Sequence, residues 1–434
     1  MILGLPAILG FIPLLIYIIL SFKGVDMLWV VLLCVIIGAV LTGQTPIAFG
    51  KAIASGIGSF LGLIGFIILL GAGLGELLTQ TGVAQNMVYF VMKKTGVKSK
   101  KQVMLATMFA STLLVSLLGS MAGGNAILAP IIIPIVASFG ITPNTLGVLF
   151  HGAGAAGLYI GPFVPTVVTT MGLTGLSYGQ YMKFAGIPVA LIVLVSTYFV
   201  ALRVQKNTEG KEAYGKDDMV DTSNFKPNEK TKRATLTFVI VMLVSIVYGI
   251  YAKAGASFVI TVMGITSLAV GFVAGLKPDE TLKAIVKGSS RMYWLFILFV
   301  LYDPFLNFVT QSGAFDALAG YIKPLINAGG KPVFMIVSTL IGIFGVSGAA
   351  VAQEKVVHTM FLPLVKQLNF PMTLWSIVLL VGSQITFFAY PTGDMVGQMG
   401  LARSKDLKSM VKNGLVITVA SILYVIAVAF LYKW

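Results

Sequence analysis

Three short phrases of this chain recur in altered form, which points to a fold of two related units. Leu77-Leu78-Thr79-Gln80-Thr81-Gly82 returns as Phe308-Val309-Thr310-Gln311-Ser312-Gly313. Further on, Ile133-Pro134-Ile135-Val136 is matched by Leu362-Pro363-Leu364-Val365, and Pro143-Asn144-Thr145-Leu146 by Pro371-Met372-Thr373-Leu374. The copies stay about half a chain length apart. In an apolar chain, duplicated halves point to a transporter built from repeats, with its site where the halves meet.

The chain is apolar enough for that reading. Of 434 residues, 57% are hydrophobic and 10% charged, against about 25% charged in a soluble domain. The 48 glycines suit close helix packing and interrupted helices. The single cysteine, Cys34, excludes an intramolecular disulfide framework, and two histidines, His151 and His358, argue against a histidine-rich metal site. Met1-Ile2-Leu3-Gly4 lacks the basic start of a secretory signal, so residues 5–22 read as a retained helix.

Apolar runs long enough to span lie near 5–22, 27–42, 57–78, 103–120, 145–160 and 184–202, then 235–252, 256–275, 292–309, 332–346, 372–390 and 413–432. The expected organisation is a first transmembrane repeat over 1–202, a polar linker over 203–233 and a second repeat over 234–434. Segments 83–94 and 315–327 are short and partly amphipathic, and read as interfacial helices.

A net charge of +15 is better explained by topogenic loops than by nucleic-acid binding. Of 30 Lys/Arg, 22 fall on the linker side of the apolar runs and six on the other. This predicts a multi-pass protein of the cell membrane, an inner membrane in bacterial terms, with the linker cytoplasmic and both termini outside. The loop after Gly82 carries five lysines, while its counterpart after Gly313 carries only Lys323 and Lys331. Equivalent loops therefore face opposite sides. The expected fold is all-α integral membrane: two inverted-topology repeats of about six helical segments each, with re-entrant hairpins and broken helices.

Each half holds two stretches unsuited to a continuous lipid-facing helix. They are Gly119–Asn125 and Gly161–Thr166 in the first, Gly345–Glu354 and Tyr390–Asp394 in the second. Backbone freed from a helix needs partners away from lipid. Helix N-termini there suit a carboxylate, and freed carbonyls suit Na+. Asp394, at a Pro/Gly break within membrane depth, is the first candidate for coupling-cation binding or proton carriage; the competing reading is an interfacial carboxylate facing Arg403 or Lys405. Glu354 occupies the repeat position of Asn125 and lies four residues before His358, a spacing that fits a proton relay or a self-satisfied polar cluster. Glu76 and Asp303 read as structural or coupling carboxylates, and Gln80 and Gln311 as hairpin caps. His151 reads as structural or titrating. Candidate substrate-binding residues are Asn125, Gly124, Thr166, Thr169, Ser347, Gln384 and Thr392; candidate cation-coupling residues are Asp394, Glu354 and His358. Thr170 is a further hydrogen-bonding candidate. The metal ion this reading allows is Na+ near Asn125 and Asp394, and no other cofactor is expected. Spans nearly free of arginine leave an anionic substrate to helix ends and hydroxyls.

The paired Gln-Thr-Gly and Gln-Ser-Gly motifs, the Pro-containing hairpins and the Pro391-Thr392-Gly393-Asp394 break resemble the ion transporter superfamily, notably its gluconate permease and NhaC-type antiporter-like permease branches. The resemblance implies a scaffold and a transport domain per protomer, hairpins meeting mid-bilayer, elevator-type motion and a homodimer. It would make 119–128 and 345–356 hairpin tips, and 161–170 and 390–398 the unwound parts of facing helices. Gly123-Gly124-Asn125 and Ala352-Gln353-Glu354 depart from the Ser-Asn-Thr signatures of the dicarboxylate/sodium branch, whose sodium sites are not carried over.

The preferred function is cation (H+ or Na+)-coupled symport of a small organic anion or amino acid. A Na+/H+ antiporter is the alternative, and a passive channel is a third reading. A membrane enzyme is disfavoured: no His-Glu-x-x-His, Gly-x-Ser-x-Gly or metal-spaced cysteines occur. The expected partners are the solute, the coupling cation, the lipid bilayer and a second copy, with no nucleic acid.

Overall fold

The computed structural model describes residues 6–94, 98–215, 227–252, 254–345 and 350–434. Those residues form helices joined by turns, with no strand among them. Ten helices are long and apolar enough to cross a membrane.

In the first half, α1 (Ile12–Phe22), α2 (Met27–Thr42), α3 (Pro46–Ile57) and α4 (Phe60–Gln80) precede the short α5 (Val83–Lys94). Then come α6 (Lys100–Leu118), α7 (Met121–Ser138), α8 (Pro143–Ile160), α9 (Pro165–Thr174), α10 (Tyr178–Tyr181) and α11 (Ile187–Thr208). In the second half, α12 (Glu229–Tyr251), α13 (Phe258–Ala274), α14 (Pro278–Ser290) and α15 (Tyr293–Gln311) repeat α1–α4. There follow α16 (Ala314–Leu340), α17 (Ala350–Gln367), α18 (Met372–Gln384), α19 (Thr386–Ala389), α20 (Gly393–Leu401) and α21 (Leu407–Leu431).

Turn chemistry shows the duplication independently of the repeated phrases. Left-handed backbone recurs at matched turns: Gly43 and Gly275, Gly82 and Gly313, Gly140 and Asn369, Gly175 and Arg403. Such backbone favours glycine, so a repeated positive φ marks a repeated chain reversal. α4 and α15 cross where a Cβ on Gly65 would lie 3.0 Å from Phe296, its own repeat counterpart. A contact between equivalent positions is the mark of a two-fold relation.

The packing also gives the sense of that relation. α11 and α21 are equivalent and pack together. Tyr424 donates to the Phe184 carbonyl at 3.0 Å, joining the late part of α21 to the approach to α11. At the opposite end, Arg203, Asn207 and Thr208 share a cleft with Asp406, Lys408 and Lys412. The two helices therefore run antiparallel, and the repeats are inverted.

α6 and α7 form a hairpin that leaves and returns at one level. Lys100 at the start of α6 pairs with Glu209 just past α11, and holds that carboxyl below its usual range through this hydrogen bond. Gln205 donates to the Gly140 carbonyl, beyond the end of α7, at 2.7 Å. The opposite base reads likewise: Lys331 lies over the Trp434 ring, which packs on Phe370 after α17. Two groups of helices result. α1–α4 pack with α13–α15, and α6–α11 pack with α16–α21. The α8–α9 span is the most enclosed, 83% of it buried, whereas α12 is 17% buried and offers its surface to lipid.

Several expected boundaries are corrected. Only Gly119 and Ser120 interrupt the first hairpin, because the Ser120 hydroxyl accepts from the Gly123 amide and restarts the helix at Met121. Unwinding at the two breaks is confined to Gly161–Val164 and Tyr390–Thr392, since Pro165 and the Thr392 cap each start a new helix at once. The second tip falls partly on 346–349, outside the described residues. α3 and α14, read as loops, are helices capped at Thr45 and opened by Pro46 and Pro278. The charged ends of the expected 203–233 linker are helical, to Thr208 and from Glu229. The segments 315–327 and 332–346 meet at Gly330, whose φ 65°, ψ −160° turns the chain.

Inversion places tight contacts at α4. A Cβ on Gly288 of α14 would lie 2.3 Å from the Ala72 carbonyl oxygen and 2.7 Å from the Gly73 Cα. Substituting Gly288→Val is expected to cost about 1–3 kcal/mol, the usual cost of overpacking, read as a lower unfolding midpoint in detergent.

Candidate functional site

The two hairpin tips and the two broken helices meet at one cavity of about 310 Å³. Its wall takes Gly119–Ala122 from the first tip and Ala350 and Val351 from the second. Val164, Pro165 and Thr166 come from the first break, Gln384, Phe387, Phe388 and Asp394 from the second. Ile68 of α4 and Leu295 and Phe299 of α15 close it from the other helix group.

Four helices thus begin at this cavity: α7, α9, α17 and α20. The first amides of a helix have no intrahelical partner, and the aligned peptide dipoles leave its N-terminus partly positive. At α7 the first internal bond runs from Gly124 N to Ser120 O, so the Met121 and Ala122 amides precede it. At α9 the first runs from Val168 N to Val164 O, and no side chain caps the helix. Among the described lining residues there is no lysine or arginine, and Asp394 is the one carboxylate. The arrangement suits an anion held by helix ends, with one acidic group available to a cation.

Behind the cavity, the halves lock through equivalent positions. Asn125 on α7 donates to Gln398 on α20 at 2.7 Å and to the Phe150 carbonyl at 3.0 Å, and accepts from Ser111 at 2.7 Å. In the mirrored contact, Thr170 on α9 donates to Glu354 on α17. Asn125 aligns with Glu354, and Thr170 with Gln398. Each hairpin therefore grips the second piece of the other half's broken helix. Glu354 is fully buried, and its Oε2 has no hydrogen-bond partner among the described residues.

Of the sequence candidates, Asp394, Thr166 and Gln384 line the cavity. Thr166 donates to the Leu158 carbonyl at 3.0 Å and Gln384 to Ser383 at 3.0 Å. Thr392 is not among the lining residues; it caps α20, accepting from the Met395 amide at 3.4 Å. Asn125 is absent from the cavity lining, and its amide makes three hydrogen bonds to protein groups. Gly124 is a packing residue rather than a lining one: a Cβ there would meet Val115 at 2.8 Å. Thr169 is buried, without a hydrogen-bond partner among the described residues, and is absent from the cavity lining. Ser347 lies outside the described residues.

Glu354 and His358 do not form the expected relay. They share a helix face, but neighbouring elements claim each side chain. His358 accepts from Trp375 Nε1 at 3.1 Å, while Glu354 turns to α9. Gln80 and Gln311 are not hairpin caps either. Gln80 donates to Glu76 at 2.9 Å, and Gln311 accepts from Gln44 at 3.2 Å. Glu76 is structural in geometry, paired with Lys287 at 2.7 Å and Arg291 at 3.0 Å. Asp303 accepts from Asn307 at 3.0 Å, one helical turn on. Sequence reading placed Ser120 in the first interrupted stretch without its capping role, and missed Gln398, to which the repeat offset from Thr170 points directly.

A family model for C4-dicarboxylate anaerobic carriers (DcuC) matches residues 37–433, nearly the whole chain. The chain belongs to that family. The membership makes it a secondary transporter of small organic anions rather than an enzyme, and it does not place it in the gluconate permease or NhaC-type branch. In fold, this DcuC-family chain is similar to the YdaH transporter of Alcanivorax borkumensis, whose crystal structure shows an unusual topology. The TM-score is 0.66 at 14% identity, covering 93% of this chain and 98% of that one. Comparison with curated proteins finds no match.

The Asn125–Gln398 lock is expected to be measurable. Asn125→Ala should destabilise the protein by about 1–3 kcal/mol, because it strands buried partners. A double-mutant cycle with Gln398→Ala should return a coupling of about 0.5–3 kcal/mol.

Proposed function

We propose that the protein carries C4-dicarboxylates across the membrane, coupled to H+ or Na+, by alternating access between its two helix groups. One observation carries this reading: four helix N-termini and one carboxylate, Asp394, surround a single cavity between inverted repeats. The inversion makes it natural for helices from opposite halves to take one carboxylate each. α7 and α9 would hold one end of the solute, α17 and α20 the other.

Coupling follows from charge. Two unit charges 4 Å apart repel by about 4 kcal/mol at an effective dielectric of ~20. That is roughly a thousandfold in affinity. A dianion beside ionised Asp394 is therefore held weakly unless a proton or Na+ sits at that carboxylate, which makes the two bindings interdependent. Glu354, buried with one oxygen unpaired, is the second candidate for proton carriage, and His358 is assigned no role in it.

Movement of α6–α11 and α16–α21 against α1–α4 and α13–α15 is the elevator step of this reading, because the cavity lies between those groups. The charge asymmetry supports a cytoplasmic linker and external termini. A homodimer belongs to the same reading through the superfamily resemblance.

Reconstituted vesicles test the proposal. Labelled succinate should accumulate above equilibrium when an inward proton or Na+ gradient is imposed, and unlabelled C4-dicarboxylates should compete better than monocarboxylates. Sodium-dependent proton efflux without any organic solute would favour Na+/H+ antiport instead, and uptake that never exceeds equilibrium would favour a channel. Asp394→Asn is expected to cut gradient-driven accumulation at least about tenfold while membrane insertion stays normal. Undiminished accumulation would remove Asp394 from the cycle.

A further inference from the structure

The cavity wall contains a histidine that the function above does not use. His151, in the middle of α8, is fully buried and lines the cavity with Gln384 and Asp394. Neither of its ring nitrogens has a hydrogen-bond partner among the described residues. Its ring packs on Phe388 of the second break, 4.4 Å between centroids. Buried polar nitrogens left unpaired are costly and uncommon, so this pair needs a reason.

Packing does not supply that reason. The equivalent position in the second repeat is Leu379, also fully buried, so an apolar side chain fills the same slot in the other half. The next residue, Gly152, is crowded by Thr197, whose hydroxyl has no hydrogen-bond partner among the described residues. Among the described residues of the cavity, His151 alone has a nitrogen donor on a ring that can carry positive charge.

We propose that His151 donates a ring N–H to one carboxylate of the transported solute, a contact present in one repeat and absent from the other. The inference rests on the dicarboxylate reading and deepens it. The neutral imidazole suffices: one nitrogen donates and the other stays an acceptor. A dicarboxylate would then meet unequal ends. One end receives a side-chain donor besides helix amides, and the other receives amides alone.

Binding of succinate to the purified full-length protein, by calorimetry with and without Na+, tests this. His151→Leu, which copies the second repeat, should weaken binding about 10- to 100-fold, the loss expected for a hydrogen bond to a charged group. His151→Gln, which keeps an N–H donor, should stay within about threefold of wild type. Equal affinity in His151→Leu and wild type overturns the assignment, as does a Gln variant no better than Leu. A second measurement needs no variant to fold well. The chain has only two histidines, so succinate should shift one imidazole ¹⁵N signal of the wild-type protein and leave that of His358 in place. No shift, or a shift of the His358 signal alone, overturns the assignment. Absence of succinate binding by the wild-type protein would instead sink the dicarboxylate reading, and this inference with it.

Discussion

A peptide group inside a bilayer has no water to bond, so any interruption of a helix must be sheltered by protein. That constraint organises this molecule. Breaks at Gly119–Ser120, Gly161–Val164 and Tyr390–Thr392 need partners away from lipid, and they gather around one cavity. The gathering needs two halves, because a broken helix of one repeat is covered by the hairpin of the other. α20 packs on α7 and α8, and α9 packs on α17 and α18. What shelters the breaks also concentrates helix N-termini, and a carrier for an anion follows from the same geometry.

This arrangement explains how so few charged groups suffice. A dicarboxylate is usually recognised by arginine, whose planar fork matches a carboxylate. Here the nearest arginine, Arg291, is paired with Glu76 in the adjoining cleft rather than in the cavity. Helix ends offer donors that are fixed by the fold and have no side-chain entropy to lose. They also carry only partial charge, so in the proposed carrier they would hold an anion without trapping it.

The architecture was legible in the sequence because it is written in repetition and in charge. Thr79-Gln80-Thr81-Gly82 and its echo marked the repeat, and lysines at 93–101 against a single pair at 323 and 331 marked the inversion. Asp394 was visible because carboxylates at membrane depth are rare and the Pro/Gly break beside it is stark. Boundaries were less legible. Ser120 and Pro165 restart helices immediately, so unwinding read from glycine and proline content was too long. The Glu354–His358 pairing failed for a different reason: helix spacing fixes which face a side chain shares, but Thr170 and Trp375, distant in sequence, decide where each one bonds. Gly124 looked like a site residue because close backbone approach to a ligand and close approach to Val115 ask for the same amino acid.

The mirrored locks carry one further consequence. Asn125 grips Gln398 through an amide, while its twin Glu354 accepts from Thr170 through a carboxyl group. An amide cannot change its charge and a carboxyl group can, so this one substitution between twins makes the two mirrored locks chemically unequal although the halves are built alike.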